Sequence, residues 1–195
     1  MISSIILAGG QSRRLGVNKA LVPVGGVPLI ERELAVLRLL SADLHLIAND
    51  SEPYRHLGLP ITADAWPDAG SLGGLYTGLR IARHPHVLAV GCDMPFLSLP
   101  LLRYMAGLAA DYDVIIPRTG KLIEPLHAIY SRACLAPMED LLRRGGRRII
   151  AFFPHVRVRY VEQAEIEIYD PERRSFFNIN TPEDLATAER LLSPS

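Results

Sequence analysis

Glycines and positively charged side chains are concentrated in one short segment near the start of the chain. Residues 7–20, LAGGQSRRLGVNKA, contain Arg13, Arg14 and Lys19 without any acidic residue. Because glycine has no Cβ and tolerates positive φ, its backbone N–H groups can approach a bound anion closely. Arginine and lysine add charge-assisted hydrogen bonds to phosphate oxygens. The segment therefore suits a polyphosphate, although a tight turn followed by solvated basic side chains would show the same residue types.

Two standard phosphate-binding motifs are excluded by the spacing of these glycines. A P-loop requires the pattern G-x-x-x-x-G-K-[ST], whereas five residues separate Gly10 from Gly16 and Val17 follows. The dinucleotide fingerprint G-x-G-x-x-G is also absent from this segment. Any anion site here must therefore belong to another class.

Asp93 is a second candidate for chemistry because it follows a short apolar run. Val87–Val90 has the composition of a buried strand, and Gly91, Cys92 and Asp93 come directly after it. In an open parallel sheet, ligands bind beyond the carboxyl ends of the strands, so a carboxylate there is placed to contact one. The residue types alone leave open the alternative that Asp93 only caps the next helix.

Strand and helix patterns alternate in the first part of the chain, and these elements must position both candidate segments. Apolar runs predict strands at 3–7, 43–49, 87–90 and 113–117. Helical periodicity predicts helices at 29–40, 71–83 and 101–109. In the first of these helices, the charged side chains expected to point outward are Glu31, Arg32, Glu33 and Arg38. Such alternation with short loops favours a mostly parallel sheet with helices on both faces, a three-layer α/β/α domain.

The later part of the chain is less regular. The elements predicted there are a strand at 126–130, a helix at 134–144 and an exposed or edge strand at 156–161, where apolar and polar residues alternate. Thr181 is predicted to cap the start of a final helix. Pro182 and two acidic residues would form its first turn, where the acids face the positive end of the helix dipole. Because we find no repeat or linker, we expect residues 1–195 to form a single domain.

Composition and charge bound the class of protein. A chain of 195 residues, 49% hydrophobic and 22% charged, is typical of a globular domain that buries about 70% of its unfolded surface. Twenty-one cations balance twenty-one acids, which gives no reason to expect nucleic acid or a membrane as partner. The two cysteines lack metal-like spacing. With neither a signal-like N-terminus nor a bilayer-length apolar run, we expect a cytoplasmic protein.

Several segments, in order along the chain, carry a family resemblance. They are LAGG at 7–10 with SRR at 12–14, Gly16 and Lys19; GVPL at 26–29; GSLGG at 70–74 with Gly78; CDMPF at 92–96; EPL at 124–126; and NINTPEDL at 178–185. Together they resemble the molybdenum cofactor guanylyltransferases of the MobA family, in the nucleotidyltransferase superfamily. The resemblance implies a Rossmann-like nucleotide-diphospho-sugar transferase fold. Its N-terminal part would bind the nucleotide and its C-terminal part the acceptor.

The resemblance also implies a reaction and a set of site residues. Such enzymes transfer GMP from GTP to the terminal phosphate of molybdopterin or Mo-molybdopterin and release pyrophosphate, with Mg²⁺ as cofactor and Mn²⁺ as its alternative. The implied catalytic residues are Arg14, Lys19 and Asp93, and the implied metal ligands are Asp93 and Asn180. The implied nucleotide-binding residues are Leu7, Ala8, Gly9, Gly10, Lys19, Asn49, Asp64, Gly74 and Asp93. Loop capping by Asn49 and Asp64, and turn formation by Asn180, are the structural alternatives.

Other interpretations stay open at this point. The half of the chain that would bind the acceptor contains several basic residues, which either face that substrate or form only a solvated surface. They are Arg118, Lys121, His127, Arg147 and Arg148. A cytidylyltransferase of the same cofactor and a guanylyltransferase of another phosphorylated metabolite would use the same chemistry. A nucleotide sensor without activity would use only the binding site. Transient contact with proteins that handle the cofactor is a further option.

Overall fold

The computed structural model describes residues 1–8 and 18–192. Its strands are β1 (Ser3–Leu7), β2 (Pro23–Val24), β3 (Val27–Pro28), β4 (Leu44–Ile47), β5 (Ile61–Thr62), β6 (His86–Gly91), β7 (Val114–Thr119), β8 (Leu122–Ile123), β9 (His127–Ser131) and β10 (Val158–Glu162). Its α-helices are α1 (Leu29–Leu37), α2 (Ser71–Ile81), α3 (Leu99–Gly107), α4 (Leu135–Arg143), α5 (Gln163–Tyr169) and α6 (Pro182–Leu192). Within these described ranges, every helix is too short or too polar to cross a membrane.

Eight strands form one mixed sheet in the order β10-β7-β9-β6-β1-β4-β5, with β8 beside β7. The neighbours β6, β1, β4 and β5 are parallel, and β10 runs parallel to β7. Strand β9 is antiparallel to both β6 and β7, so β7 points the same way as β6. The strands β1, β4, β5, β6 and β7 therefore all end at one edge of the sheet, which we call the carboxyl edge.

Two hydrophobic clusters cover the two faces of the sheet. On one face, Ile6 of β1 shares a cluster with Ile30 and Leu34 of α1 and with residues of α3 and α5. On the other face, Ile5 of β1 shares a cluster with Leu75 of α2 and with residues of α4. Successive residues of β1 thus point to opposite layers, as the pleat of a strand requires. The three-layer α/β/α architecture predicted from the sequence is confirmed.

A smaller cluster attaches the last helix to the N-terminal half of the chain. The β2–β3 hairpin turns at Gly25 and Gly26, which have φ of 58° and 74°. Beside this hairpin, Val24 packs in one cluster with Ile179 and with Ala188 of α6. The segment just before α6 is therefore held close to elements that follow the first strand.

The first helix differs from its prediction in length and in one of its faces. It ends at Leu37 rather than at residue 40, because the N–H groups of Leu39 and Leu40 bond carbonyls only three residues back. Glu33 was predicted to point outward, and this is wrong: the residue is 0% exposed. Helical periodicity assigns charged residues to solvent, and it carries no information about a buried partner from elsewhere in the chain.

The region around β10 combines a confirmed strand with a helix that the prediction missed. As predicted, β10 is an edge strand of the sheet, although it begins at Val158. Helix α5 follows immediately and starts with a capping box between Glu162 and Glu165. Two glutamates three residues apart fit the spacing of that motif, so the sequence did contain a signal for this helix.

Candidate active site

The carboxyl edge of the sheet gathers several of the residues that the sequence singled out. Those at or just beyond the end of a strand are Leu7, Ala8, Asn49, Asp64 and Asp93. Ligands of parallel α/β sheets bind at this edge, so the topology places these residues where a substrate is expected. Gly9, Gly10 and Arg14 lie outside the described residues, and their roles stay predictions.

Lys19 connects the two candidate metal ligands. Its Nζ donates hydrogen bonds to Asp93 Oδ2 and to Asn180 Oδ1, each at 2.7 Å. The side chains of Lys19 and Asp93 are only 15% and 24% exposed, so salt screens this ion pair less than a surface pair. Lys19 lies 74 positions from Asp93 and 161 from Asn180 in the sequence. The fold therefore brings three distant polar side chains together.

A short 3₁₀ turn, Lys19–Leu21, fixes the backbone from which the lysine side chain extends. Ala20 is buried in the core, and the Val22 N–H donates to the Lys19 carbonyl at 3.1 Å. On the other side, the amide oxygen of Asn18 accepts a hydrogen bond of 3.0 Å from the Tyr54 hydroxyl. The chain is thus anchored on both sides of Lys19, so the ammonium extends from a fixed base.

In the turn after β6, Gly91 leaves the space that the Asp93 carboxylate occupies. A Cβ on Gly91 would lie 2.8 Å from Asp93 Oδ1, which is too close for an unbonded contact. The Asp93 carbonyl also accepts a hydrogen bond of 3.0 Å from the N–H of Ile179. This bond joins the turn after β6 to the residue immediately before Asn180.

Asn180 is held by the cap of the last helix. The N–H groups of Asn180 and Thr181 both donate to Asp184 Oδ2, at 2.9 and 2.8 Å, and the Asp184 N–H donates to Thr181 Oγ1 at 3.1 Å. The Asn180 N–H is the first cause of the lowered pKa of Asp184. Because the cap uses only the Asn180 backbone, its side chain remains available for Lys19. The predicted role of Thr181 as cap is confirmed.

Asn49 and Asp64 form a small network at the far side of the carboxyl edge. Asn49 Oδ1 accepts the Asp64 N–H at 2.9 Å, and Asp64 Oδ1 accepts the Trp66 N–H at 2.8 Å. The hydroxyl of Thr77, on α2, lies 3.1 Å from Asp64 Oδ1. These contacts are those of loop capping. They also fix both side chains at the ligand-facing edge, where nucleotide binding remains a prediction for them.

Gly74 brings the start of α2 directly against the end of β1. A Cβ at this position would lie 3.0 Å from Leu7 Cδ2. The preceding Gly73 has even less room, since its Cβ would lie 2.5 Å from the Trp66 carbonyl oxygen. These glycines are therefore required by packing, and the same packing places the first turn of α2 beside Leu7 and Ala8.

The basic residues of the acceptor half do not form one cluster. His127 is fully buried beside the Phe176 ring, with 5.1 Å between ring centroids, so the expectation that it faces a second substrate is not met. Burial lowers the pKa of His127 to about 4. Arg118 is paired with Glu162 and lies over the Tyr160 ring, 4.2 Å from its centroid. The remaining members of the predicted set are exposed: Lys121, Arg147 and Arg148.

Carboxyl groups near Asp93 have raised pKa values. Burial raises the pKa of Glu124, and the charge of Asp93 adds to the effect. Burial likewise raises the pKa of Glu33 well above its ordinary value. The thiol of Cys92 also has a raised pKa because of burial, which makes it a poor nucleophile. Among these groups, the one in contact with the Lys19 ammonium is the Asp93 carboxylate.

The oxygen atoms around Lys19 Nζ have the chemistry of a divalent-cation site. A carboxylate and an amide oxygen already share one cationic group at 2.7 Å. Mg²⁺ prefers oxygen ligands and is commonly bound by one or two carboxylates together with water and substrate phosphates. In the part of the chain that the structure describes, no group of three or more His, Cys, Asp and Glu could hold a metal. The carboxylate and amide oxygens present have the chemistry that suits Mg²⁺ or Mn²⁺.

The sheet and the site at its carboxyl edge define the class of protein. The fold is that of the α/β nucleotidyltransferases: 2-C-methyl-D-erythritol 4-phosphate cytidylyltransferase from Thermus thermophilus superimposes with a TM-score of 0.73, at 21% identity and 98% coverage of each chain. Molybdopterin-guanine dinucleotide biosynthesis protein A from Archaeoglobus fulgidus superimposes with a TM-score of 0.84, at 28% identity, covering 97% of this chain and 98% of that one.

The family follows from the sequence match. Residues 4–161 match the MobA-like NTP transferase domain. A protein from Pelotomaculum thermopropionicum named "Probable molybdenum cofactor guanylyltransferase" is 39% identical over 186 residues, which are 95% of this chain and 91% of the relative. The chain belongs to the MobA-like NTP transferase family, and the resemblance stated from its motifs is confirmed.

Proposed function

We propose that this protein transfers GMP from GTP to the terminal phosphate of molybdopterin or Mo-molybdopterin and releases pyrophosphate. The observation that carries the proposal is the convergence of Lys19, Asp93 and Asn180 at the carboxyl edge, with hydrogen bonds of 2.7 Å. Relatives named as molybdenum cofactor guanylyltransferases, similar over nearly their whole length, support the choice of substrates. We further propose that residues 1–195 act as a single domain in the cytoplasm.

The chemical problem in this reaction is electrostatic. An oxygen of the acceptor phosphate forms a bond to the α-phosphorus of GTP, and the bond from that phosphorus to the bridging oxygen of pyrophosphate breaks. Both reactants are anions, so catalysis depends on alignment and on charge neutralisation. Asp93 and Asn180 would hold Mg²⁺, or Mn²⁺ in its place, and the ion would neutralise phosphate charge.

The residues of this chain divide the remaining work. Lys19 and Arg14 would bind the β- and γ-phosphates, and Lys19 must then leave its place between Asp93 and Asn180. The backbone of Leu7, Ala8, Gly9 and Gly10 would contact the base, since backbone donors and acceptors can distinguish guanine from adenine. For the base or ribose, the supporting residues are Asn49, Asp64 and Gly74.

Pyrophosphate release tests this proposal. It is measured with GTP, CTP or ATP as donor, molybdopterin as acceptor and Mg²⁺ present. We expect the highest kcat/KM with GTP, and a loss of about 100-fold or more in kcat for Asp93→Asn, the scale for removing an electrostatic transition-state contact. Asp113→Asn is the matched control, because Asp113 precedes β7 and lies at the opposite edge of the sheet.

Each contrary outcome removes a different part of the proposal. A higher kcat/KM with CTP would make the guanine assignment wrong. Unchanged turnover in Asp93→Asn would remove Asp93 from the mechanism. Tight GTP binding without pyrophosphate release, with any phosphorylated acceptor, would leave the nucleotide-sensor interpretation.

A further inference from the structure

A buried carboxyl group lies beneath the candidate active site. Glu33 is on the inner face of α1, where Leu34 and Leu37 are buried beside it. Its Oε1 accepts the Met94 N–H at 3.0 Å, while Oε2 has no hydrogen-bond partner within residues 1–8 and 18–192. The sequence pattern predicted only that this side chain faces solvent, and the proposed reaction does not use it.

A glutamate buried at this position carries a cost that an apolar residue would not. Moving a carboxyl group from water into the protein interior is unfavourable unless its hydrogen bonds are made there. Leucine or methionine would complete the apolar stripe of α1 without that penalty. Neither side chain could accept a hydrogen bond from the Met94 N–H. Because Met94 is only 2% exposed, this N–H would be left buried and unpaired. The hydrogen bond to Met94 is therefore the physical reason for the residue.

The Met94 N–H belongs to the same peptide group as the Asp93 carbonyl. That carbonyl accepts the N–H of Ile179 at 3.0 Å. Because a trans peptide group is planar, its N–H and C=O point in opposite directions. The group is thus held on one side by Glu33 of α1 and on the other by Ile179. Rotation of its plane would break at least one of these two bonds.

This peptide group connects the two oxygen atoms around Lys19 Nζ. On one side it continues into the Asp93 side chain, and on the other its partner Ile179 directly precedes Asn180. Asp93 Oδ2 and Asn180 Oδ1 both lie 2.7 Å from the Lys19 nitrogen. A change in the peptide plane would alter the distance between them, and ligand sites lose function when such groups move by more than about 0.5 Å.

We propose that Glu33 is a positioning residue of the active site. By accepting the Met94 N–H, it fixes the peptide group between Asp93 and Met94 and thereby the separation of the Asp93 and Asn180 oxygens. Glu33 does not touch the substrate. The inference rests on the proposed function, because it takes those two oxygens as the metal ligands.

Three variants on one helix test the inference. Glu33→Met keeps the length and burial of the side chain but removes the acceptor, whereas Glu33→Gln keeps an acceptor oxygen in the same place. Glu31→Gln is the matched control, because Glu31 lies on the more exposed side of α1. The measurements are Mn²⁺ affinity without nucleotide, kcat and KM for GTP, and thermal unfolding.

Loss of the acceptor should affect the metal and the turnover, while binding of GTP changes little. We expect Glu33→Met to lower Mn²⁺ affinity and kcat by about 10- to 100-fold, the range for residues that orient metal ligands. Glu33→Gln and Glu31→Gln should stay close to the wild-type protein. A purely structural role would change the unfolding temperature of Glu33→Met and leave the Mn²⁺ affinity of the folded protein unchanged.

Several outcomes would overturn the inference. Wild-type Mn²⁺ affinity in folded Glu33→Met contradicts it. An equal loss in Glu33→Gln also contradicts it, because that variant keeps an acceptor oxygen. If Glu33→Met does not fold, Glu33→Asp decides, because it keeps a carboxyl group but withdraws it from Met94 by about 1.5 Å. Wild-type Mn²⁺ affinity in Glu33→Asp contradicts the inference, and a loss supports it. Absence of Mn²⁺ binding by the wild-type protein would overturn the proposed metal site as well.

Discussion

Replacing Lys19 by methionine removes the ammonium group that Asp93 and Asn180 share. If these two oxygens form the metal site, then Mn²⁺ entering it in the absence of nucleotide must first displace this ammonium. The variant has no ammonium to displace. We therefore expect Lys19→Met to bind Mn²⁺ more tightly than the wild-type protein and GTP more weakly, two changes of opposite sign from one substitution.

The size of the first change follows from the hydrogen bonds that are broken. The ammonium makes two bonds of 2.7 Å, one of them to a carboxylate. A hydrogen bond with a charged partner contributes about 1.5–3 kcal/mol net. Because the displaced ammonium regains water and stays near Asp93, we count the equivalent of one such bond. At about 1.4 kcal/mol per tenfold, Mn²⁺ affinity should rise by about 10- to 150-fold.

Free Mn²⁺ measured by electron paramagnetic resonance, during titration of nucleotide-free protein, gives the affinity directly. Lys121→Met is the matched control: Lys121 is the other lysine of the chain and lies exposed at the β7–β8 turn. Titration calorimetry with GTP measures the second change. If Lys19→Met bound Mn²⁺ no more tightly than the wild-type protein and the control, the ammonium and the metal would not share a site.

Three further substitutions test the packing of the core, the position of the Asp93 carboxylate and a charged group at the opposite edge of the sheet. Gly78→Ala should lower the free energy of unfolding by about 1–3 kcal/mol, the cost of overpacking, because the new methyl group overlaps the side chain of Ile5; denaturant titration measures it. Gly91→Ala should lower kcat with little change in unfolding temperature, because its Cβ would lie 2.8 Å from Asp93 Oδ1 and displace the carboxylate. Steady-state kinetics measure this effect, and an unchanged kcat would show that the position of the carboxylate is not critical. Arg157, which precedes β10, lowers the pKa of Asp113. The wild-type protein should therefore be more stable than Asp113→Asn, by a difference that is full above about pH 4 and decreases as the pH falls further. Thermal unfolding of both proteins across this pH range measures the difference.

Local sequence patterns predicted the layers of the fold more fully than they predicted the site. Strand–helix alternation identified β1, β4, β6 and β7 and the helices that cover them, because each of these elements shows its own apolar periodicity. The short strands β5 and β8 were missed, since two residues carry no periodicity. The meeting of Lys19, Asp93 and Asn180 was implied only by the family resemblance, because no local pattern links residues so far apart in the sequence.

Glu33 and His127 show why the rest could not be predicted. Both were expected to face solvent or substrate because of their polarity, and both are fully buried. For Glu33 the deciding contact is the N–H of Met94, 61 positions away in the sequence. Burial of a polar group depends on such a partner, and a single sequence shows the group without showing the partner.

The position of Lys19 has a consequence for how metal and nucleotide bind together. A nucleotide that draws the ammonium to its phosphates leaves Asp93 and Asn180 free for the metal, so each ligand should increase the affinity of the other by the same factor. In Lys19→Met the part of this coupling that comes from displacement is absent. The coupling factor should therefore fall by the same roughly 10- to 150-fold by which Mn²⁺ affinity alone rises. An unchanged factor, together with a tighter Mn²⁺ site, would mean that GTP binds without moving Lys19 away from Asp93.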